Sequence, residues 1–289
     1  MPHQAPIRIE LVDKSKASPE VRAKLEQIQD AMGLAWAPAN WQAYAMYPEI
    51  LDLFWERLAP MIGTGTFVND ALQIAQRAYD DVARWYHPGA PHEFESPHRA
   101  KIERELDALE FGNGQLLLMQ AALDQALRAG RAGAGGAVIP RPARGHFRKP
   151  EIRMVEEEEA SEEVRRLYAD IRKTLELPIV NSDYKALAKW PTLLRRAWGE
   201  VKRVRDREDY RFLTSSIAFA AERAAQRQPR AVQITEAEVR GVLRDNADTE
   251  NLYRMVGMFS ALLPGLIVND AIVRVAVAGG KPVALKKTA

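Results

Sequence analysis

Apolar residues recur at helical spacing along most of the chain. After Ser161 they fall at positions i, i+3, i+4, i+7 and i+11, which form one face of a helix: Val164, Leu167, Tyr168, Ile171 and Leu175. Similar patterns predict helices over 69–86, 98–109, 115–129, 210–226, 235–244 and 249–275. Convincing alternating patterns of the kind that strands produce are missing from the sequence. We therefore expect an all-α fold.

The segment 18–55 reappears at a constant offset of 143 positions as 161–198, with no gap. The matching residues include both apolar positions and a proline that would open the next helix: Val21, Ile28, Pro48, Leu51 and Trp55 match Val164, Ile171, Pro191, Leu194 and Trp198. Each copy begins with a serine suited to cap a helix, Ser18 or Ser161. Fixed-offset similarity predicts a tandem duplication of a helical domain, with the halves in a pseudo-twofold arrangement.

The duplication sets the predicted domain boundaries. We expect helical repeat 1 at 1–129, a linker rich in Gly, Ala, Pro and Arg at 130–150, helical repeat 2 at 151–279 and a disordered tail at 280–289. The string Val-Asn-Asp-Ala occurs at 68–71 and again at 268–271. Because these two strings are out of the common register, we interpret them as coincidence.

Composition narrows the class of protein. The 289 residues are 47% apolar, and 41 basic residues against 39 acidic ones give a net charge of +2. The basic residues are scattered, which argues against a nucleic-acid partner. No apolar run approaches the roughly 18 residues that span a bilayer, and Met1 to Glu10 lacks a hydrophobic signal core. We expect a cytoplasmic protein with no membrane partner.

The residue types available for chemistry are few. Cysteine is absent, which excludes thiolate nucleophiles, disulfides and Cys-type zinc sites. The histidines are His3, His87, His92, His98 and His146, and no two of them have the spacing of a metal pair on one helix face. Nucleotide-binding glycine motifs and the G-x-S-x-G motif are also missing. The sequence therefore predicts no metal and no organic cofactor.

Comparison of the two copies gives a first candidate residue. Asp183 occupies the position that Asn40 holds in the other copy. Its sequence neighbours are largely apolar, among them Val180, Leu187 and Trp190, so burial would raise its pKa and make it a competent general base. The alternative is that Asp183 caps a helix over 184–189.

A second difference between the copies involves Asn113. It matches Val256 in the other copy and precedes the apolar stretch from Leu116 to Leu123. Asn113 is therefore either a second polar site residue or a helix cap.

Three segments resemble the group I 2-haloacid dehalogenases, a helical, cofactor-independent family that acts on D and L enantiomers. They are N-S-D-Y-K-A-L-A-K-W-P at 181–191, F-G-N-G-Q-L-L-L at 111–118 and W-A-P-A-N at 36–40. The resemblance implies that Asp183 activates water and that Asn113 helps to hold it. It also implies a substrate pocket with Ser182 beside the base, lined by Trp36, Ala39, Phe259 and Leu262. Ala39 and Phe259 replace a phenylalanine and a tyrosine of the family.

The resemblance predicts a hydrolase that converts D- and L-2-haloalkanoic acids to 2-hydroxy acids and releases halide. Its partners are the 2-haloalkanoate and water, attack by water inverts C2, and no cofactor takes part. A rival mechanism within the same assignment has Asp183 form an ester with the substrate.

Other folds and functions are also compatible with parts of the sequence. The helical copies are similar to the alkylhydroperoxidase D-like fold, but its redox chemistry needs the cysteines that this chain lacks. The L-specific dehalogenases need an aspartate nucleophile after an N-terminal strand, which the sequence does not provide. A non-catalytic duplicated scaffold or binding protein is the alternative function. A homodimer is open as well as a monomer, because the Trp-rich helices could pair further chains.

Overall fold

The computed structural model describes residues 7–88, 96–141 and 152–278, which form eleven helices and two very short strands. The prediction of an all-α fold is confirmed. The predicted tail, part of the linker, His3, His92 and His146 lie outside the described residues. The helices are α1 Pro19–Met32, α2 Ala39–Tyr44, α3 Pro48–Ile62, α4 Gly65–Trp85, α5 Ser96–Ala129, α6 Glu162–Leu175, α7 Ser182–Leu187, α8 Pro191–Val204, α9 Glu208–Gln226, α10 Glu236–Leu243 and α11 Asn246–Ala278.

The limits of the first helices repeat at the offset seen in the sequence. α1 and α6 match residue for residue, as do α2 and α7, and α3 and α8 both begin at a proline. The Oγ of Ser18 accepts from the amide of Val21 at 3.3 Å, and Ser161 Oγ accepts from Val164 at the same distance. Equivalent sequence signals therefore produce equivalent helix starts, which supports the predicted duplication.

Aromatic packing is repeated as well. The rings of Trp41 and Trp55 lie 6.0 Å apart at 81°. Their counterparts at the 143-residue offset, Tyr184 and Trp198, lie 5.7 Å apart at 77°. Edge-to-face contact of this kind stabilises ring pairs beyond the area that they bury. α2 thus packs on α3 in the same way as α7 packs on α8.

The described chain divides into two compact units that differ from the predicted halves 1–129 and 151–279. The first unit contains 7–71, 115–141 and 219–263, and the second contains 72–88, 96–114, 152–218 and 264–278. Each unit therefore takes segments from both copies. The cause is that four long helices, α4, α5, α9 and α11, each contribute residues to both units.

One helix, α5, joins two segments that the sequence predicts as separate helices. The segments 98–109 and 115–129 belong to the single helix α5, which continues through Gly112 and Gly114. Glycine costs roughly 1 kcal/mol in a helix interior, but leucines on both sides of this stretch are buried and their packing outweighs that cost. α11 continues through Pro264, as the predicted helix over 249–275 does. As a result, α5 and α11 can carry side chains deep into a unit.

The described part of the predicted linker is packed against the first unit. Strand β1, Arg131–Ala132, pairs antiparallel with β2, Val232–Gln233. Gly133 follows with a φ of +93°, and a Cβ there would lie 3.0 Å from the Gln228 carbonyl oxygen. Backbone pairing and close approach therefore hold the chain at 131–133, inside the predicted linker.

One helix in the described residues, α11, is long and apolar enough to cross a membrane by length and composition. An 18-residue window in it has a mean hydropathy of 1.7, and 67% of that window is buried inside the protein. The search for uninterrupted apolar runs in the sequence did not find this helix, because polar residues interrupt its apolar stretch. A helix buried in the core of a protein can have the same length and composition.

Candidate active site

Helix α5 carries Asn113 into the interior of the second unit. Asn113 lies in the middle of α5 and is 2% exposed. A residue in mid-helix has no free backbone amides to cap, so the helix-cap alternative for Asn113 is wrong. Its neighbours Gly112 and Gly114 are buried and have no side chains that would compete for the space around the amide.

Asp183 lies in the first turn of α7 and is 2% exposed. Its Oδ1 accepts a hydrogen bond from Asn113 Nδ2 at 2.6 Å. The residue at the N-cap position is Asn181, so Asp183 does not occupy the cap site that the alternative required. Burial raises the pKa of Asp183 to about 6, although hydrogen bonds from Asn113 and from its own amide oppose the rise.

Asp270 is a second buried carboxyl at this position, and sequence reasoning missed it. The same Asn113 Nδ2 that bonds Asp183 donates to Asp270 Oδ2 at 2.7 Å. Asp270 belongs to the Val-Asn-Asp-Ala string at 268–271 that was interpreted as coincidence. The register comparison contained a signal, because Asp270 matches Leu127 in the other copy, a second exchange of polar for apolar after Asn113 and Val256.

The two carboxyl groups perturb each other. The pKa of Asp270 lies well above its ordinary value, first because of burial and then because Asp183 and Glu110 are negatively charged neighbours. Asp183 is therefore the carboxyl that ionises first. Such a pair titrates in two coupled steps that belong to both groups.

A buried ion-pair cluster adjoins the pair along α5 and α11. Arg274, one turn after Asp270 on α11, donates from Nε to Glu110 Oε1 and from a terminal nitrogen to Asp107 Oδ1, each at 2.7 Å. Burial raises the pKa of Glu110 to about 7, and Arg274 opposes this rise. Asp107, Glu110 and Asn113 are spaced by three residues, so each is the neighbour of the next on the surface of α5.

A second set of hydrogen bonds positions α7 against α11. Asn269 Nδ2 donates to the hydroxyl of Tyr184 at 3.0 Å, and Tyr210 donates from its hydroxyl to Asn269 Oδ1 at 2.8 Å. Asn269 and Tyr184 are the direct neighbours of Asp270 and Asp183. The buried amide therefore fixes the two segments that carry the carboxyl pair.

The other predicted site residues are divided between the two units. Ser182 is the first residue of α7, next to Asp183, in the second unit. The remaining four belong to the first unit: Trp36, Ala39, Phe259 and Leu262. Phe259 packs edge to face on Tyr44 of α2 at 6.0 Å, and Ala39 begins that same helix. Trp36 and Phe259 are buried, whereas Ala39 and Leu262 are partly exposed.

The position that matches the carboxyl pair at the 143-residue offset contains no acid. Its residues at the matching positions are Asn40, Val256 and Leu127, all buried. Asn40 Oδ1 accepts from the amide of Trp41 at 2.9 Å, while its Nδ2 has no partner. This position lacks a group that could accept a proton from water.

The arrangement around Asn113 supports general-base chemistry. A carboxyl group with a pKa near neutrality, buried and held by an amide, can take a proton from a water molecule. Within the described residues, no group of three or more acids and histidines has the geometry for a metal ion.

Residues 35–184, half of the chain, match the family model of the halocarboxylic acid dehydrogenase DehI. The chain belongs to this family. The match includes Asn113 and Asp183, and it ends before Asp270.

Similar proteins cover most of the chain. A curated (R)-2-haloacid dehalogenase of Pseudomonas putida is 29% identical over 279 residues, with 89% of each chain covered. A configuration-inverting 2-haloacid dehalogenase of Alcaligenes xylosoxydans xylosoxydans is 24% identical, covering 79% of this chain and 80% of the relative. A solved D-2-haloacid dehalogenase mutant in complex with D-2-CPA superposes with a TM-score of 0.88 at 26% identity, covering 94% and 96% of the two chains.

The buried carboxyl pair makes a prediction about stability. We expect Asp183→Asn to raise the free energy of unfolding above pH 6 by roughly 1 to 3 kcal/mol, because the pKa of Asp183 is higher in the folded than in the unfolded state. Both states are protonated below the unfolded pKa of 3.8, so the gain shrinks as the pH falls from about 6 towards 4. Urea unfolding at a series of pH values measures this.

Asp206→Asn is the control, because its side chain is 88% exposed. Its effect on stability should be small at every pH. A destabilised Asp183→Asn protein at pH 7 would contradict the assignment of a strained, buried carboxylate.

Proposed function

We propose that the chain hydrolyses 2-haloalkanoic acids to 2-hydroxy acids, releases halide and inverts C2. The observation that carries this proposal is the buried Asp183 carboxyl, held at 2.6 Å by Asn113, in a chain of the DehI family. The relatives named as configuration-inverting 2-haloacid dehalogenases support both the substrate class and the stereochemistry.

Asp183 acts as the general base on a water molecule. One O–H bond of water breaks and its proton goes to Asp183, while the oxygen forms a bond to C2 of the substrate. The C–halogen bond breaks on the opposite side, and its electron pair leaves with the halide. Attack from the side opposite the leaving group inverts C2.

Asn113 positions the base and the water. Its Nδ2 donates to both Asp183 and Asp270, so the side-chain oxygen Oδ1 is the group that can accept from the water. This assigns Asn113 two tasks, one through each end of its amide. A water held between Asn113 Oδ1 and Asp183 would present its oxygen to C2.

The substrate is assigned to the residues that the resemblance implies. The resemblance assigns apolar contacts with the substrate to Trp36, Phe259 and Leu262, and a place beside the base to Ser182. Ala39 is smaller than the phenylalanine expected there, which leaves room for a larger substrate side chain. Chain length is therefore the property to vary in an assay.

Activity on both enantiomers remains part of the proposal. Two relatives are named for the R enantiomer, so R acids are the first substrates to assay. We also propose a cytoplasmic location, no nucleic-acid or membrane partner, and a homodimer as an alternative to a monomer.

Halide release tests the function. We expect the protein to release chloride from 2-chloropropionate. Asp183→Asn and Asn113→Ala should lower kcat at least about 100-fold, because removal of a general base or of its positioning group costs about that much. Asp124→Asn is the control, since Asp124 is a half-buried acid paired with Arg128 in the first unit.

The control variant should retain the activity of the unsubstituted protein. Absence of halide release from either enantiomer of a series of 2-chloro and 2-bromo acids would contradict the function and favour the scaffold alternative. Equal loss in Asp124→Asn and Asp183→Asn would contradict the site.

A single turnover in heavy-oxygen water separates direct attack from an ester intermediate. With enzyme in excess over substrate, we expect the label in the 2-hydroxy acid, because water attacks C2 itself. Mass spectrometry of the product and of the peptide that contains Asp183 measures this. An unlabelled product, with label in the Asp183 peptide, would establish the ester mechanism instead.

A further inference from the structure

We infer that Asp270 is a positioning residue that holds a proton beside Asp183, so that the two carboxyl groups and Asn113 work as one acid–base unit. In this unit Asp183 is the base and Asp270 acts through Asn113 and Asp183, not on the substrate. The inference rests on the proposed function for its kinetic consequence, but the protonation itself can be measured without substrate.

The geometry places both carboxyl groups on one nitrogen. Asn113 Nδ2 lies 2.6 Å from Asp183 Oδ1 and 2.7 Å from Asp270 Oδ2, and both acids are at most 3% exposed. An amide supplies two N–H donors and no positive charge. Two carboxylates in this setting would repel each other with no cation to compensate them, so one of the pair keeps its proton.

The charged neighbours of Asp270 favour its protonated form, since Asp183 on α7 and Glu110 on α5 both carry negative charge, and Tyr184 on α7 is a neutral neighbour. Around these neighbours lie Asp107 on α5, Tyr210 on α9 and Arg274 on α11. Arg274 is the cation of this set, and it hydrogen-bonds Glu110 and Asp107. The nearest negative charges thus act on Asp270, whereas the positive charge of Arg274, one turn away, is paired with Glu110 and Asp107.

A protonated Asp270 has two consequences for the reaction. It leaves a single negative charge in the pair, so an anionic substrate meets one carboxylate and not two. After Asp183 has taken a proton from water, the pair holds two protons and must release one before the next turnover. The resting state, with one proton on Asp270, is restored by that release.

The pH dependence of kcat/KM should therefore have two limbs. Activity rises with pH as Asp183 ionises, near pH 6. It falls at higher pH when Asp270 also ionises and the second negative charge repels the substrate. The descending limb belongs to Asp270, because its pKa is raised further than that of Asp183.

The kinetic test compares Asp270→Asn with Asp70→Asn. Asparagine is neutral and has the shape of a protonated aspartic acid, so Asp270→Asn should keep at least a tenth of the plateau kcat and lose the descending limb. Asp70 lies in the other Val-Asn-Asp-Ala string, where it accepts from Gln228 at 2.8 Å, and Asp70→Asn should leave both limbs in place. A descending limb that persists unchanged in Asp270→Asn would overturn the inference. So would a loss of activity equal to that of Asp183→Asn, which would make Asp270 the base.

A spectroscopic measurement keeps the inference testable if a variant does not fold or if the enzyme has a different substrate. Infrared spectra of the unsubstituted protein should show the carbonyl stretch of a protonated carboxyl at about pH 8, where Glu110, whose pKa is about 7, is largely ionised, and this band should disappear at higher pH. Asp270→Asn should lack the band at pH 8. A protein with no such band at pH 8 would contradict the inference, whereas the band without dehalogenase activity would contradict the proposed function alone.

Discussion

Two buried aspartates that share one uncharged hydrogen-bond donor are the constraint on which the rest of this structure depends. Asp183 and Asp270 are removed from water, and Asn113 gives each of them one N–H. A buried charge without a cationic partner costs several kcal/mol, which folds tolerate mainly where the perturbed pKa has a use. The nearby Arg274 could compensate the charge of one aspartate, but its guanidinium is hydrogen-bonded to Glu110 and Asp107. The carboxyl pair therefore stays basic enough to take a proton near neutral pH.

The helices supply the rigidity that such a pair needs. Asn113 lies in mid-helix on α5 and Asp270 on α11, so neither can withdraw from the interior without disturbing a long helix. Asn269 and Tyr184 bond to each other directly beside the pair. The position that matches the pair at the 143-residue offset, with Asn40, Val256 and Leu127, retains the ring packing but has no acid. Duplication thus provides one scaffold twice, with the proposed chemistry in one of the two places.

Helical periodicity and caps predicted most helices, and comparison of the copies found Asp183 and Asn113. These features are local or follow a fixed register, so sequence shows them directly. The contact of Asn113 with Asp270 joins residues 157 positions apart, and no local pattern reports such a distance. The division into compact units escaped prediction for a similar reason, since tertiary packing decides where a long helix passes from one unit to the other. The helix-cap alternatives had equal support in the sequence because a cap and a buried site use the same residue types.

Carbon-13 NMR titration of the aspartate side-chain carboxyls tests the central claim most directly, because it follows protonation at the site without substrate. The account predicts one aspartate that titrates near pH 6 and another that titrates higher, with the first signal absent from Asp183→Asn. A protein in which every aspartate titrates below about pH 5, close to the ordinary value, would contradict it.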